Sequence, residues 1–260
     1  MTKTLAFACL VFAACTTLGS MPVTTGVSAV PHGRPGSEAQ LAIVPAFRLS
    51  NAASGQNRNG QSTAQLSALI APSRWAVPGL VLGARLFGES GDAGLEPYVG
   101  VRRTFAEGVS FAAVGYGTKM GATEKDATYD ALRIGGEVMA DIELASIGSW
   151  GQLHVGGGIN ATYIDASGTY CVNADGDAID CDENGSSPTV AGELAGVYTA
   201  GNLMLALDIA RGPTGTLHLV RLGALFSFGH MPRLVDGRQQ YGDVFLSGGV
   251  VLTLGVGADR

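Results

Sequence analysis

Nine ionisable residues stand among glycines and alanines at positions that alternate with apolar ones. Arg48, Arg85, Arg102, Arg133 and Arg221 are the cations; Glu137, Asp141, Glu193 and Asp208 are the anions. A planar guanidinium can hold a carboxylate through two parallel N–H donors, so a set carrying both signs can pair off in a confined space. Pairing becomes obligatory once such groups leave water, because an unpaired buried charge costs several kcal/mol. The chemistry predicted for this set is electrostatic closure of an interior. The competing arrangement leaves the same face in water, on a soluble barrel or sandwich turned the other way. A solvated face carries Lys, Thr and Glu more often than Arg amid glycines, which favours the interior reading.

Two further groups could do chemistry. Asp175, Asp177, Asp180, Asp182 and Glu183 crowd the stretch from Asn173 to Asn184. Carboxylates at that density could chelate calcium, a hard cation that takes six to eight oxygens. Their spacing does not follow an EF-hand loop, so a solvated acidic loop is the plainer expectation, with no metal. The histidines are His32, His154, His218 and His230. His154 falls on the charged face and His218 on the apolar face near a strand start; the other two fall in the N-terminal segment and in a loop. No His-x-Ser arrangement, Cys-x-x-Cys, nucleophile elbow or phosphate-binding glycine loop accompanies them. Neither enzymatic turnover nor a cofactor is expected, and His154 reads as one more hydrogen-bonded interior residue.

The elements that must position these groups are strands. From Tyr129 the even positions read Leu132, Ile134, Gly136, Val138, Ala140, Ile142 and Leu144, while Ala131, Arg133, Gly135, Glu137, Met139, Asp141 and Glu143 take the odd ones. After a break at Ser146-Ile147-Gly148 the alternation resumes: Leu153, Val155, Ile159 and Tyr163 on one face, Gln152, His154, Asn160 and Thr162 on the other. A period of two is the signature of a β-strand, whose successive side chains leave opposite faces. Both runs exceed the usual ~5–6 residues of a globular strand and reach the ~9–11 or more of a membrane-spanning barrel strand.

The same rhythm covers most of the chain. Strands are predicted over 41–49, 80–87, 97–102, 109–119, 217–228 and 244–256, with 65–70 ambiguous between strand and helical turn. A further hairpin is predicted from Val190–Tyr198 and Leu203–Ile209, turning at Ala200-Gly201. The expected fold is all-β: an antiparallel up-and-down β-barrel of about ten strands, eight or twelve being the alternatives. No crossover helix interrupts the meander.

Composition agrees with a buried or lipid-facing surface. Charged residues are 15% of the chain and glycines number 39, against roughly 25% charged in ordinary soluble domains. A net charge of −6 without a basic cluster argues against a nucleic-acid partner. The first residues read as an export signal: Lys3, then an apolar run from Leu5 to Ala14 that is too short to span a bilayer. Its end, Phe12-Ala13-Ala14-Cys15, resembles the lipobox of bacterial lipoproteins, with Phe12 where an aliphatic residue is preferred. The resemblance implies cleavage before an acylated Cys15; Val27-Ser28-Ala29 is the alternative site for ordinary cleavage. Residues 1–15 are thus the signal, 16–38 a Gly/Pro/Ser/Thr-rich tether and 39–260 the barrel domain. With Cys9 and Cys15 in the export signal, Cys171 and Cys181 remain as a local disulfide of an oxidising compartment, two free thiols being the alternative.

From about Gln40 to Val256 the chain resembles the small outer-membrane β-barrel proteins of Gram-negative bacteria. The resemblance implies a place in the bacterial outer membrane, outer-membrane lipid and the barrel-insertion machinery as partners, and a structural role or restricted passage or binding of small solutes. A lipid-anchored soluble β-barrel holding a small apolar ligand, and an outer-membrane enzyme, are the alternatives. Two features depart from the family: the chain ends Gly257-Ala258-Asp259-Arg260 rather than in an aromatic residue, and counting strands back from the last places the long Asp165–Pro188 loop at the short-turn end. Tyr163 and Tyr198 fall on the lipid-facing set expected to hold an aromatic girdle; Tyr116, Tyr129 and Trp150 do not.

Overall fold

The computed structural model describes residues 37–50, 61–71, 79–89, 92–106, 108–124, 127–172, 174, 178–179, 188–209, 217–230, 233–235, 238–240 and 244–258; at some of these, Arg48 and His218 among them, it describes only the backbone. The chain runs through β1 (Ser37–Ser50), β2 (Gln61–Ala71), β3 (Leu80–Glu89), β4 (Asp92–Ala106), β5 (Val109–Glu124), β6 (Ala127–Ile147) and β7 (Gly151–Val172). It continues through β8 (Ala178–Ile179), β9 (Thr189–Asp208), β10 (Leu217–His230), β11 (Arg233–Val235), β12 (Arg238–Gln240) and β13 (Val244–Ala258). Each long strand pairs antiparallel with its neighbours in sequence, and β1 pairs with β13, so ten strands close into a ring. The two-residue β8 pairs with β7, and β11–β12 is a separate hairpin.

The register fixes the width of the ring. One row of paired residues runs Ala39, Ile70, Leu82, Val99, Gly115, Gly136, Ala161, Thr199. It goes on past His230, paired with Val244, and meets β1 again one step beyond its last residue, Ser50, displaced by 12 residues from Ala39. Ten strands about 4.8 Å apart with that stagger tilt by roughly 40° and put the backbone about 10 Å from the axis. An arginine from one wall can therefore reach the middle of the lumen. The seam between β1 and β13 skips two rungs at Val44 and Pro45, where proline has no N–H to give.

Alternation sorts the faces as expected on β6 and β7. Leu132, Ile134, Val138 and Ile142 point outward with Leu203, Leu205, Phe226 and Leu246, and Ile159 is 69% exposed. Arg85, Arg133 and Arg221 are fully buried inside. Apolar groups outside and ions inside is the reverse of a soluble barrel holding an apolar ligand.

Gln61–Ala71, open in the sequence between strand and helical turn, is a full strand, whereas the expected hairpin is corrected: Thr189–Asp208 is a single strand with no turn at Ala200-Gly201. The number of long strands is unchanged, but parity shifts between them. The connection after β7 now shares an end with the β1–β2 and β10–β13 connections, which removes the misplaced loop. β1 begins at Ser37, so Ser37 and Glu38 belong to the barrel and not to the expected 16–38 segment, the rest of which lies outside the described residues. At the opposite end Gly108 (φ 77°) and Gly148 (φ 58°) close the tight β4–β5 and β6–β7 turns in the left-handed region that glycine adopts freely.

The inner wall is smoothed by glycine. Tyr98 faces Gly83 and Tyr116 faces Gly135 across neighbouring strands. A Cβ on either glycine would lie 2.3 Å from Tyr98 Cζ or 2.6 Å from Tyr116 Cε2, so each ring lies flat over a position that tolerates no side chain.

Candidate functional site

The interior carries two ionic clusters with an apolar layer between them. On β6 the inward residues read Arg133, Gly135, Glu137, Met139, Asp141, so Met139 separates the two acids. On β9 they read Asn202, Met204, Ala206, Asp208. Val44, Met204, Ala206, Leu225 and Val251 pack as one apolar cluster; Val81, Tyr98, Ala112, Val114, Tyr116 and Met139 pack as another. Gly156 and Gly158 on β7 make room for the two methionines: added Cβ atoms would stand 3.2 Å from Met204 Cε and 2.9 Å from Met139 Cγ.

The first cluster joins β3, β4, β6 and β9. Arg85 Nε donates to Glu96, and Arg85 Nη1 lies 3.6 Å from Glu137, which sits three strands away across the ring. Arg133 Nη1 is 3.9 Å from Glu96, and Asn202 Nδ2 donates to Glu137 at 3.2 Å. The Arg85 guanidinium stacks 4.2 Å from the centroid of the Tyr116 ring, whose hydroxyl is 2.7 Å from Thr162 Oγ1. Two arginines and two glutamates leave this cluster without net charge.

The second cluster is tighter. Arg221 on β10 donates Nε and Nη2 to Asp208 at 2.6 and 3.1 Å, and Nη1 and Nη2 to Asp141 at 3.0 and 3.1 Å. One guanidinium thus forks two carboxylates, one next door and one three strands away. His154 closes the ring from below: Nδ1 lies 3.0 Å from Asp141 Oδ2 and Nε2 lies 3.3 Å from Asp208 Oδ2. All four side chains are buried. Charge-assisted bonds of this geometry hold direction as well as distance, and they tie opposite walls of the lumen together.

Seven of the nine expected network residues thus face inward, counting Arg102, which is half-buried on β4, and excluding Arg48, whose side chain lies outside the described set. Glu193 does not. Because β9 runs unbroken, the parity set by Asn202, Met204 and Asp208 carries up the strand and turns Glu193 outward, where it is exposed. The same parity turns Tyr198 inward, 1% exposed, so it leaves the expected girdle; Tyr163 stays outside. Glu96 was missing from the expected set. Its signal was present, two residues before Tyr98 on the inward phase of β4, but Pro97 reads as a strand start. The β4–β5 ladder begins one residue after Pro97, at Tyr98, so the proline is accommodated where one edge is free.

His230 is the exposed last residue of β10, not part of a loop. His32, Cys15, Cys181 and the acidic residues Asp175, Asp177, Asp180 and Asp182 lie outside the described residues, as does the side chain of His218. Cys171, buried at the end of β7, is disulfide-bonded. Among the described residues there is no group of three metal-ligating side chains.

Fold and interior together define a class: a closed antiparallel β-barrel, apolar outside and ionically bridged inside. No protein-family model matches the chain, and no curated protein matches it. Solved structures that it resembles include Neisserial surface protein A, at 12% identity over 85% of this chain and 97% of that one, with a TM-score of 0.33. Another is Ail, the attachment invasion locus protein of Yersinia pestis, at 10% identity over 84% and 99%, with a TM-score of 0.30. A third is the translocator domain of the autotransporter NalP from Neisseria meningitidis, at 12% identity over 86% and 89%, with a TM-score of 0.36. The class rests on the register and the faces, to which these likenesses add nothing.

Proposed function

We propose that the chain is a bacterial outer-membrane β-barrel whose lumen is closed by an Arg–carboxylate plug, serving a structural role or restricted passage of small solutes. The observation that carries this is the double fork of Arg221 on Asp141 and Asp208, which crosses a lumen only about 10 Å in backbone radius. Open aqueous channels belong to barrels of about sixteen strands. The apolar layer around Met139 and Met204 opposes water between the two clusters. The reading includes acylation of Cys15 as an N-terminal anchor, a Cys171–Cys181 bond pinning the acidic loop, and delivery by the barrel-insertion machinery.

Conductance in planar bilayers tests the plug. The wild type is expected to show negligible or only brief, small openings. Glu137→Gln combined with Asp141→Asn strips carboxylates from both clusters and raises open time. A large steady conductance in the wild type would make the protein a general pore and end the proposal.

A further inference from the structure

The row of paired residues that rises through Gly115, Gly136, Ala161 and Thr199 is small at every step and faces outward. Larger residues flank it on both sides. Ile134, Tyr163 and Val197 form the next outward row toward the long-connection end, and Val138 and Ile159 the next toward the tight-turn end. Where the lower ridge would break, at Gly201, the ring of Phe228 on the paired strand fills in, with Cζ 2.7 Å from where a Cβ would be. Val99, half exposed on the same row, blocks the low end, and His230 and Val244 stand at the high end. Between Gly136 and Val244 the trough is an open, mostly apolar pocket of about 520 Å³.

We propose that this trough binds one acyl chain of an outer-leaflet glycolipid, the lipid A portion of lipopolysaccharide, with its headgroup at the His230 end. The inference rests on the barrel reading above, because only a bilayer supplies hydrocarbon at this face. The four strand intervals from Gly115 to His230 span about 19 Å, the length of an extended acyl chain of roughly fifteen carbons and close to one leaflet of a ~30 Å hydrocarbon core. The trough also climbs towards the end that carries the long connections, the outer side in barrels of this architecture. A continuous floor of Gly, Gly, Ala and Thr lets a chain lie against the backbone, where ridges of Ile, Val and Tyr give it dispersion contacts on two sides.

Native mass spectrometry of the full chain, folded in detergent and mixed with hexa-acyl lipid A, reads the site. Folding of each protein, and insertion of the wild type into vesicles, is first checked by the heat-resistant gel band; a wild type that fails to insert contradicts the membrane reading itself. The wild type is expected to retain a single lipid A. Ala161→Trp and Thr199→Trp, each filling the floor from an exposed position, should lower retention at least tenfold. Leu153→Trp, outward on β7 but away from the trough, should leave it unchanged. Equal retention by the wild type and both floor variants would show annular lipid only and overturn the site. Dioleoylphosphatidylglycerol retained as well as lipid A, and lost on the same substitutions, would overturn the assignment to the outer-leaflet glycolipid.

Discussion

Arg221→Met is expected to lower the unfolding free energy by about 3–5 kcal/mol, the range found when one partner of a buried ionic network is removed. Methionine roughly fills the volume, so the loss reports charge and not a cavity. Removing the guanidinium leaves Asp141 and Asp208 facing each other, with His154 alone between them. It also deletes four donor contacts that tie β10 to β9 and β6. Arg221→Lys should recover only part of the loss, because one ammonium cannot fork two carboxylates in a plane. Glu193→Gln, on the outward face of β9, should stay within about 0.5 kcal/mol. Urea titration of the folded band in lipid vesicles measures all three. If Glu193→Gln proves as damaging as Arg221→Met, the parity assigned to β9 is wrong.

The second large effect lies on the opposite face. Leu203 points outward beside Gly157 and Phe226, midway along the ring, and is half exposed. An arginine there should cost about 2–4 kcal/mol, the penalty for a cation near the bilayer midplane, and should deplete the heat-resistant band. Ala191→Arg lies on the same face of the same strand, but above the point where β10 stops pairing with β9 at Ala200. At that height the cost should fall to about 0–1 kcal/mol. A soluble barrel would tolerate both substitutions equally.

These two effects rest on features that differed in how plainly the sequence displayed them. The alternation runs unbroken from Leu132 to Leu144 on β6 and from Leu153 to Tyr163 on β7, and one phase choice on each strand settles its faces. The β9 region is as regular, but Ala200-Gly201 reads as a turn. Gly201 is instead a flat spot beneath Phe228 on the next strand, a partner that lies far off in sequence. Cutting the strand there released the phase of its first half, which is how Glu193 and Tyr198 changed sides. Gln61–Ala71 lacks strong alternation because its register comes from β1 and β3 on either side. Which arginine meets which acid was not legible at all. Arg221 reaches Asp141 across 80 positions of sequence, and only the stagger of the closed ring sets that encounter.

The apolar face of this closed, internally bridged barrel should lie in lipid. A nitroxide attached at Leu205→Cys reads this directly, since Cys171 is disulfide-bonded and does not compete for the label. Collision rates with oxygen, which concentrates in hydrocarbon, and with a water-soluble nickel chelate are compared in vesicles. The label at 205 should favour oxygen strongly, and one at Ala191→Cys should favour nickel. Nickel access at both positions would put the outer face in water and contradict the account.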